Sequence, residues 1–258
     1  MTISELTTWF EAMSALFAGL AAIRMVGSGL HARYRFLSSY LFFLVPFSAW
    51  PLCLDSRSAA YYWTWIYSEP LNWIFQILVV RELCGLVLER YRGLCTLGRW
   101  GMYAGIGIAG AISLASLLPH IPNRVSRRSH LLSYMQGGER GVYLALGLFL
   151  LLMMVLVSRY PVPLSRNVLL NAVIFTILFF SNSLAALLHT IFDLRIGHSV
   201  DAGLGGLGVI TLVAWLFFLT PRGEEIRVEL VHLQPEREEH VLRYLDDLNR
   251  LVLNLGRS

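Results

Sequence analysis

Residues Glu139 to Ser158 read ERGVYLALGLFLLLMMVLVS, and after Glu139 and Arg140 the run carries no further charge. About 20 predominantly apolar residues cross the hydrocarbon core of a bilayer as one helix, with every backbone polar group bonded inside the segment. This run has the length and the character, and it predicts a transmembrane helix over 139–158. Working outward in both directions, comparable apolar stretches occupy 7–30, 35–54, 61–88, 98–119, 166–192 and 199–220. The expectation is an all-α fold: a seven-transmembrane helix bundle over 1–220, followed by a tail over 221–258.

Composition agrees. Of 258 residues, 56% are hydrophobic and only 15% charged, against roughly 25% charged in soluble domains. A secreted disulfide scaffold, a disordered chain, a nucleic-acid-binding module and a soluble enzyme all fit poorly. Lysine and arginine total 21, and every one is arginine. Without lysine there is no retinal Schiff base, no pyridoxal phosphate aldimine and no phosphate-loop lysine, so no cofactor is expected. The net charge of +4 reads as arginines flanking membrane spans, with no nucleic-acid partner implied. Cys53, Cys84 and Cys95 are odd in number and lack Cys-x-x-Cys spacing, which supports neither a zinc site nor a disulfide framework.

Glu5 and Glu11 stand where a signal peptide would need cations. With the N-terminus outside, the inner connections hold Arg33, Arg35, Arg90, Arg92, Arg99, Arg159 and Arg166, and the tail adds Arg222 and Arg227. This bias predicts an inner-membrane, multi-pass protein with the N-terminus outside and the C-terminus cytoplasmic. Pro119 to Gly138 reads as the longest loop, and no internal repeat is evident.

In the tail, Ile226, Val228 and Leu230 alternate with Arg227 and Glu229, a short strand pattern, and Pro235 then breaks the chain. Over 236–255 the residues Val241, Leu245, Leu248 and Val252 recur at spacings of four, three and four. They form the apolar stripe of an amphipathic helix, which is marginal alone and must pack on a partner. The expected partners are the bilayer, a second copy of this chain, or another subunit of a membrane complex.

Polar residues within a bilayer are costly and mark candidate sites. Glu69, Asn72 and Gln76 fall at spacings of three and four on one face of the third span; Asn171, Asn182, His189 and Asp193 form a stripe on the sixth. In the N-out topology Glu69, Asn182 and His189 lie in the outer half, with Glu11, His198 and Asp201 at the same level. These residues predict an outward polar pocket for a ligand, a cation or a proton. Interhelical hydrogen bonding alone is the plainer reading. His189, Asp193, His198 and Asp201 also make a weak metal-ligand set, and an intramembrane hydrolase would need them plus an acid such as Glu69.

Pro70 follows Glu69 and can bend the helix. Tyr61, Tyr62, Trp63, Trp65 and Tyr67 suit the interface belt. Gly101, Gly105 and Ala109, and Gly203, Gly205, Gly206 and Gly208, predict close helix packing on the fourth and seventh spans. Glu82, Glu89 and Arg90 form a candidate cytoplasmic switch. Glu89-Arg90-Tyr91 resembles the acidic-Arg-Tyr motif of class A G-protein-coupled receptors, over three residues only; the outer cysteine of the third span and the Asn-Pro-x-x-Tyr motif are missing. Tyr62 to Tyr91, with its aromatic group, Glu69 and charged exit, together with the polar C-terminal helix, resembles bacterial seven-helix membrane proteins without a settled activity. That resemblance implies architecture alone. The function expected is a non-catalytic membrane sensor or scaffold, receptor-like and signalling. The alternatives are a small-solute or proton transporter, a structural subunit of a membrane complex, and the metal hydrolase.

Overall fold

The computed structural model describes residues 3–55, 58–89, 92–117, 127–159, 164–191, 194–225 and 227–228. Its long helices are α1 (Ile3–Gly27), α2 (Arg35–Cys53), α3 (Ala59–Val87), α4 (Arg92–Leu117), α5 (Arg127–Arg159), α6 (Arg166–Ile191) and α7 (Leu194–Phe218). A one-turn helix α8 (Arg222–Glu225) follows. Two short strands, β1 (Leu164–Ser165) and β2 (Arg227–Val228), pair antiparallel, with Leu164 opposite Val228. Among the described residues, six helices are long and apolar enough to cross a membrane: α1, α2, α3, α5, α6 and α7. The protein is membrane-integral and almost entirely helical. The amphipathic helix expected over 236–255, with Val241, Leu245, Leu248 and Val252, lies outside the described residues.

Lipid and core divide the apolar residues between them. Ile23, Leu152, Ile210 and Phe217 point outward, each about two-thirds exposed. In water such a surface would drive association, whereas acyl chains accept it. Inside, Val79, Val80 and Leu83 of α3 meet Leu146 and Leu150 of α5, Phe175 and Phe179 of α6, and Leu37 and Leu41 of α2 in one buried cluster. α3 packs on α2, α4, α5 and α6, so its polar face is enclosed by helices on several sides.

Two local devices set the helix ends. Ser58 caps α3, its hydroxyl accepting from Tyr61 N–H at 3.0 Å. Glu82 of α3 reaches across to α2, where its two oxygens accept the N–H groups of Phe36 and Leu37 at 3.0 Å each. A carboxylate at a helix N-terminus satisfies orphan donors and complements the dipole. Glu82→Ala is expected to lower thermal stability in detergent by about 2 kcal/mol, the scale of a hydrogen bond to a charged group, and Glu82→Gln by less. Equal unfolding midpoints for wild type and Glu82→Ala would contradict the cap.

One boundary differs from expectation. The segment 119–138 read as a loop, but α5 already begins at Arg127. Gly137 and Gly138, the end of that expected loop, lie within the helix. A Cβ built on Gly138 would meet the Trp73 ring at 3.4 Å, and one on Gly141 would meet the α4 backbone at 2.9 Å. Tight packing against α3 and α4 holds glycines in a helix that propensity alone disfavours. On α4 the close approach falls at the backbone of Ala109, one of the expected positions, and of Gly110, which Gly141 of α5 meets; a Cβ on Gly101 or Gly105 would face open space. On α7, a Cβ built on Gly205 would meet Phe10 at 3.1 Å, while one on Gly203 or Gly208 would face open space.

Candidate functional site

Glu69, Asn72 and Gln76 share the inward face of α3, as their spacing predicts. Their depth increases along the helix: Glu69 is half-buried, and Asn72 and Gln76 are 5% and 7% exposed. Two chambers open against this face. The first, about 270 Å³, is walled by Trp65, Glu69, Glu139, Asn182, Ala185, Ala186, Asp201 and Leu204. The second, about 190 Å³, lies deeper, with Asn72 and Gln76 beside Tyr40, Tyr143, Phe175, Phe179, Thr211 and Trp215. Asn182 and Leu204 belong to both walls and so mark the junction.

Acidic side chains sit at the mouth and amides and phenols below. Asp201 is exposed and Glu139 half-buried, and Glu139 lies within electrostatic reach of Glu69 and Asp201. Asn72 Nδ2 donates to Tyr143 Oη at 3.4 Å, and Gln76 Nε2 donates to Tyr40 Oη and to Asn72 Oδ1, each at 3.4 Å. Asn182 Nδ2 donates to Leu178 O on its own helix at 2.7 Å. Some buried atoms have no partner: Glu69 Oε2 at the mouth, Gln76 Oε1 and Trp215 Nε1 in the deeper chamber. Further along α3 and α5, Val79, Val80, Leu146 and Leu150 are fully buried in the apolar core.

Not every expected residue joins the chambers. Asn171 is fully buried but lines neither one. Glu11 lines neither chamber. Asp193 and the side chains of His189 and His198 lie outside the described residues. Among the described residues, no group of three or more His, Cys, Asp or Glu could hold a metal ion. Of the switch set, Glu82 caps α2, Glu89 makes an exposed ion pair with Arg33 at 3.5 Å, and Arg90 lies outside the described residues.

The opposite end of the bundle is tied by Glu224 of α8. Tyr34 Oη donates to Glu224 Oε1, and Asn167 Nδ2 of α6 donates to the same oxygen at 2.7 Å and to Thr220 O at 2.8 Å. Arg33 Nε lies 2.8 Å from Glu224 Oε2, off the N–H direction, so the contact is an ion pair without a linear hydrogen bond. Burial, then the Glu224 carboxylate, pushes the Tyr34 phenol well above its ordinary range. The Tyr34 hydroxyl therefore keeps its proton and remains a donor. Arg24 Nη1 donates to Leu216 O, adding α1 to the end of α7.

Sequence reasoning missed Glu139, Tyr40, Tyr143 and Trp215. Glu139 was taken as a span boundary; its four-residue spacing from Tyr143 was the available sign that the two share a face. Set against models of known protein families, curated proteins and solved structures, the chain matches none.

Proposed function

We propose that this chain is a non-catalytic membrane sensor of seven crossings, with α4 as the crossing added to the six others. In this reading its N-terminus is outside and its C-terminus cytoplasmic, as the arginine distribution suggests. The two chambers form an outward-facing site for a small molecule. Occupancy shifts the balance between two packings of the bundle, and the tail passes that shift to a second copy or a partner. The Glu224 ties among α2, α6 and α8 supply a link between bundle and tail.

The observation that carries this reading is the pair of joined chambers, acidic at the mouth and lined deeper in by amides, phenols and aromatic rings. Volumes of about 270 and 190 Å³ together reach the small-molecule range of roughly 300–1,000 Å³. The intramembrane carboxylates also suit proton-coupled transport. The buried apolar layer of Val79, Val80, Leu146 and Leu150 favours binding over passage.

Accessibility tests the reading. With Cys53, Cys84 and Cys95 replaced, Ala186→Cys in sealed vesicles should react with a membrane-impermeant thiol reagent from the N-terminal side, and Leu146→Cys should not. An Ala186→Cys protein that resists the reagent from both sides has no open chamber, and the sensor reading then falls. Reaction from the C-terminal side alone would reverse the orientation.

A further inference from the structure

Two arginines at the Glu224 end of the bundle lack a carboxylate partner. Arg81 of α3 and Arg99 of α4 are both half-buried. Among the described residues neither enters an ion pair; the pairs at this end join Arg33 to Glu89 and Glu224. Glu82, beside Arg81 in the chain, is committed to the Phe36 and Leu37 N–H groups at the start of α2. Arg99 lies on the seam between α3 and α4: a Cβ built on Gly85 would meet its Nη2 at 3.5 Å, and its Nε is buried without a partner. Arg81 Cζ stands 5.9 Å from the centre of the Phe36 ring, a contact that uses none of its N–H donors. Cations set into a membrane span are costly until an anion meets them.

Their depth is that of lipid headgroups. The 29 residues of α3 cover about 44 Å at 1.5 Å per residue, close to the roughly 40–45 Å of a bilayer with its headgroup layers. Gly85 and Arg81 lie about 3 and 9 Å from the end of α3 at Val87, where phosphate meets hydrocarbon. α2 begins at the same level, since Glu82 holds its first turn. Trp100, next to Arg99 and 72% exposed, is the kind of ring that settles at this interface.

A second observation is independent of charge. Leu71, Ile74, Leu78, Arg81 and Gly85 follow one another at spacings of three, four, three and four, so they share a face of α3. It is not the face that carries Asn72 and Gln76 to the chambers. Leu71 and Ile74 are 48% and 51% exposed, and Leu78 is half-buried. The stripe is open hydrocarbon along most of its length and cationic at the membrane surface. A phospholipid has the same order of parts, acyl chain and then phosphate.

We propose that this face binds an acidic phospholipid of the adjoining leaflet, its phosphate held by Arg81 and Arg99 over Gly85 and an acyl chain laid along Leu78, Ile74 and Leu71. Residues four apart on a helix have Cβ atoms roughly 5–6 Å apart, and long guanidinium side chains from α3 and α4 can converge on one phosphate across that turn. The phosphate offers several anionic acceptors and so takes donors from both arginines. Gly85, without a side chain, leaves the room. A zwitterionic lipid brings an ammonium with its phosphate, which two arginines repel, so the site prefers a headgroup of net negative charge.

The full chain in a non-ionic detergent, titrated with phosphatidylglycerol or with phosphatidylcholine of the same acyl chains, tests this by its thermal unfolding midpoint. Phosphatidylglycerol should raise the midpoint at concentrations at least about tenfold below those phosphatidylcholine needs. Arg81→Gln and Arg99→Gln should each cut that preference about fivefold, the scale of one arginine at a charged bilayer surface. Arg222→Gln, which removes an exposed arginine at the same end, should keep it. Inorganic phosphate should leave the midpoint where it is, because it brings no acyl chain. Should Arg99→Gln fail to fold, Arg81→Gln set against Arg222→Gln decides. Equal action of the two lipids overturns the proposal, as does a preference that survives either folded substitution. An equal loss in Arg222→Gln would make the effect one of diffuse surface charge, and an equal rise with inorganic phosphate would make the site one for a free anion; each overturns it too. None of these outcomes bears on the chambers, which the labelling of Ala186→Cys tests separately.

Discussion

Replacing Gly141 with alanine is expected to force α4 and α5 apart. A Cβ at this position would lie 2.9 Å from Ala109 O, 2.9 Å from Gly110 Cα and 3.0 Å from Gly110 N. All three are backbone atoms, so no side-chain rotation relieves the clash and a helix must move. Overpacking of this kind costs about 1–3 kcal/mol. In a membrane the loss is felt fully, because helix pairs there are held by close van der Waals contact. Thermal unfolding in detergent measures the effect. Gly105→Ala on α4 is the control: its Cβ would meet nothing within 4 Å, and relief of glycine's entropy should stabilise the helix by about 0.5–1 kcal/mol. If both variants unfold at the same temperature, the α4–α5 contact is not as close as described. Because Glu139 precedes Gly141 on α5, the same substitution should also displace the mouth of the larger chamber and speed labelling of Ala186→Cys.

Gly223→Ala should produce the second large effect, at the other end of the bundle. The added Cβ would collide with Asn167 Oδ1 and fall 2.9 Å from its Cγ. Asn167 is fully buried, so its amide can yield only by leaving Thr220 O and Glu224 Oε1, its acceptors at 2.8 and 2.7 Å. One of those bonds is to a carboxylate, and together their loss is expected to cost about 2–4 kcal/mol. Glu224 would retain Tyr34 and Arg33 but not its tie to α6. Limited trypsin digestion should then cut faster after Arg222, which is exposed. A digestion rate matching wild type would show that α8 does not depend on Asn167. Gly203→Ala, whose Cβ would face open space, should leave digestion unchanged.

The α3 side of the candidate site was legible before any coordinates. Glu69, Asn72 and Gln76 recur at helical spacing, and the helical period alone puts them on one face. Asn182 on the sixth span could be placed at the level of Glu69 by assuming that successive spans alternate in direction. Glu139 could not, because the glycines before it mimic the end of a loop, whereas Gly138 packs on Trp73 within the helix. Tyr40, Tyr143 and Trp215 were hidden for a different reason. Tyrosine and tryptophan in a membrane protein ordinarily signal the lipid–water interface, and nothing in their own neighbourhood separates an interfacial ring from one turned into a cavity.

Long apolar runs, arginine as the sole strong base, and the polar face of the third span are properties of single segments. Each could be read from residue order, since backbone bonding within lipid dictates helix and helix dictates period. Which faces meet is a property of pairs. Val79 and Ile210 are both β-branched hydrocarbon side chains, yet one is 0% and the other 66% exposed. Acyl chains and protein core are alike apolar, so hydropathy cannot tell an inward residue from an outward one. Packing therefore decided that Glu139 shares a wall with Glu69 and that Glu224 reaches Tyr34 across 190 positions of chain.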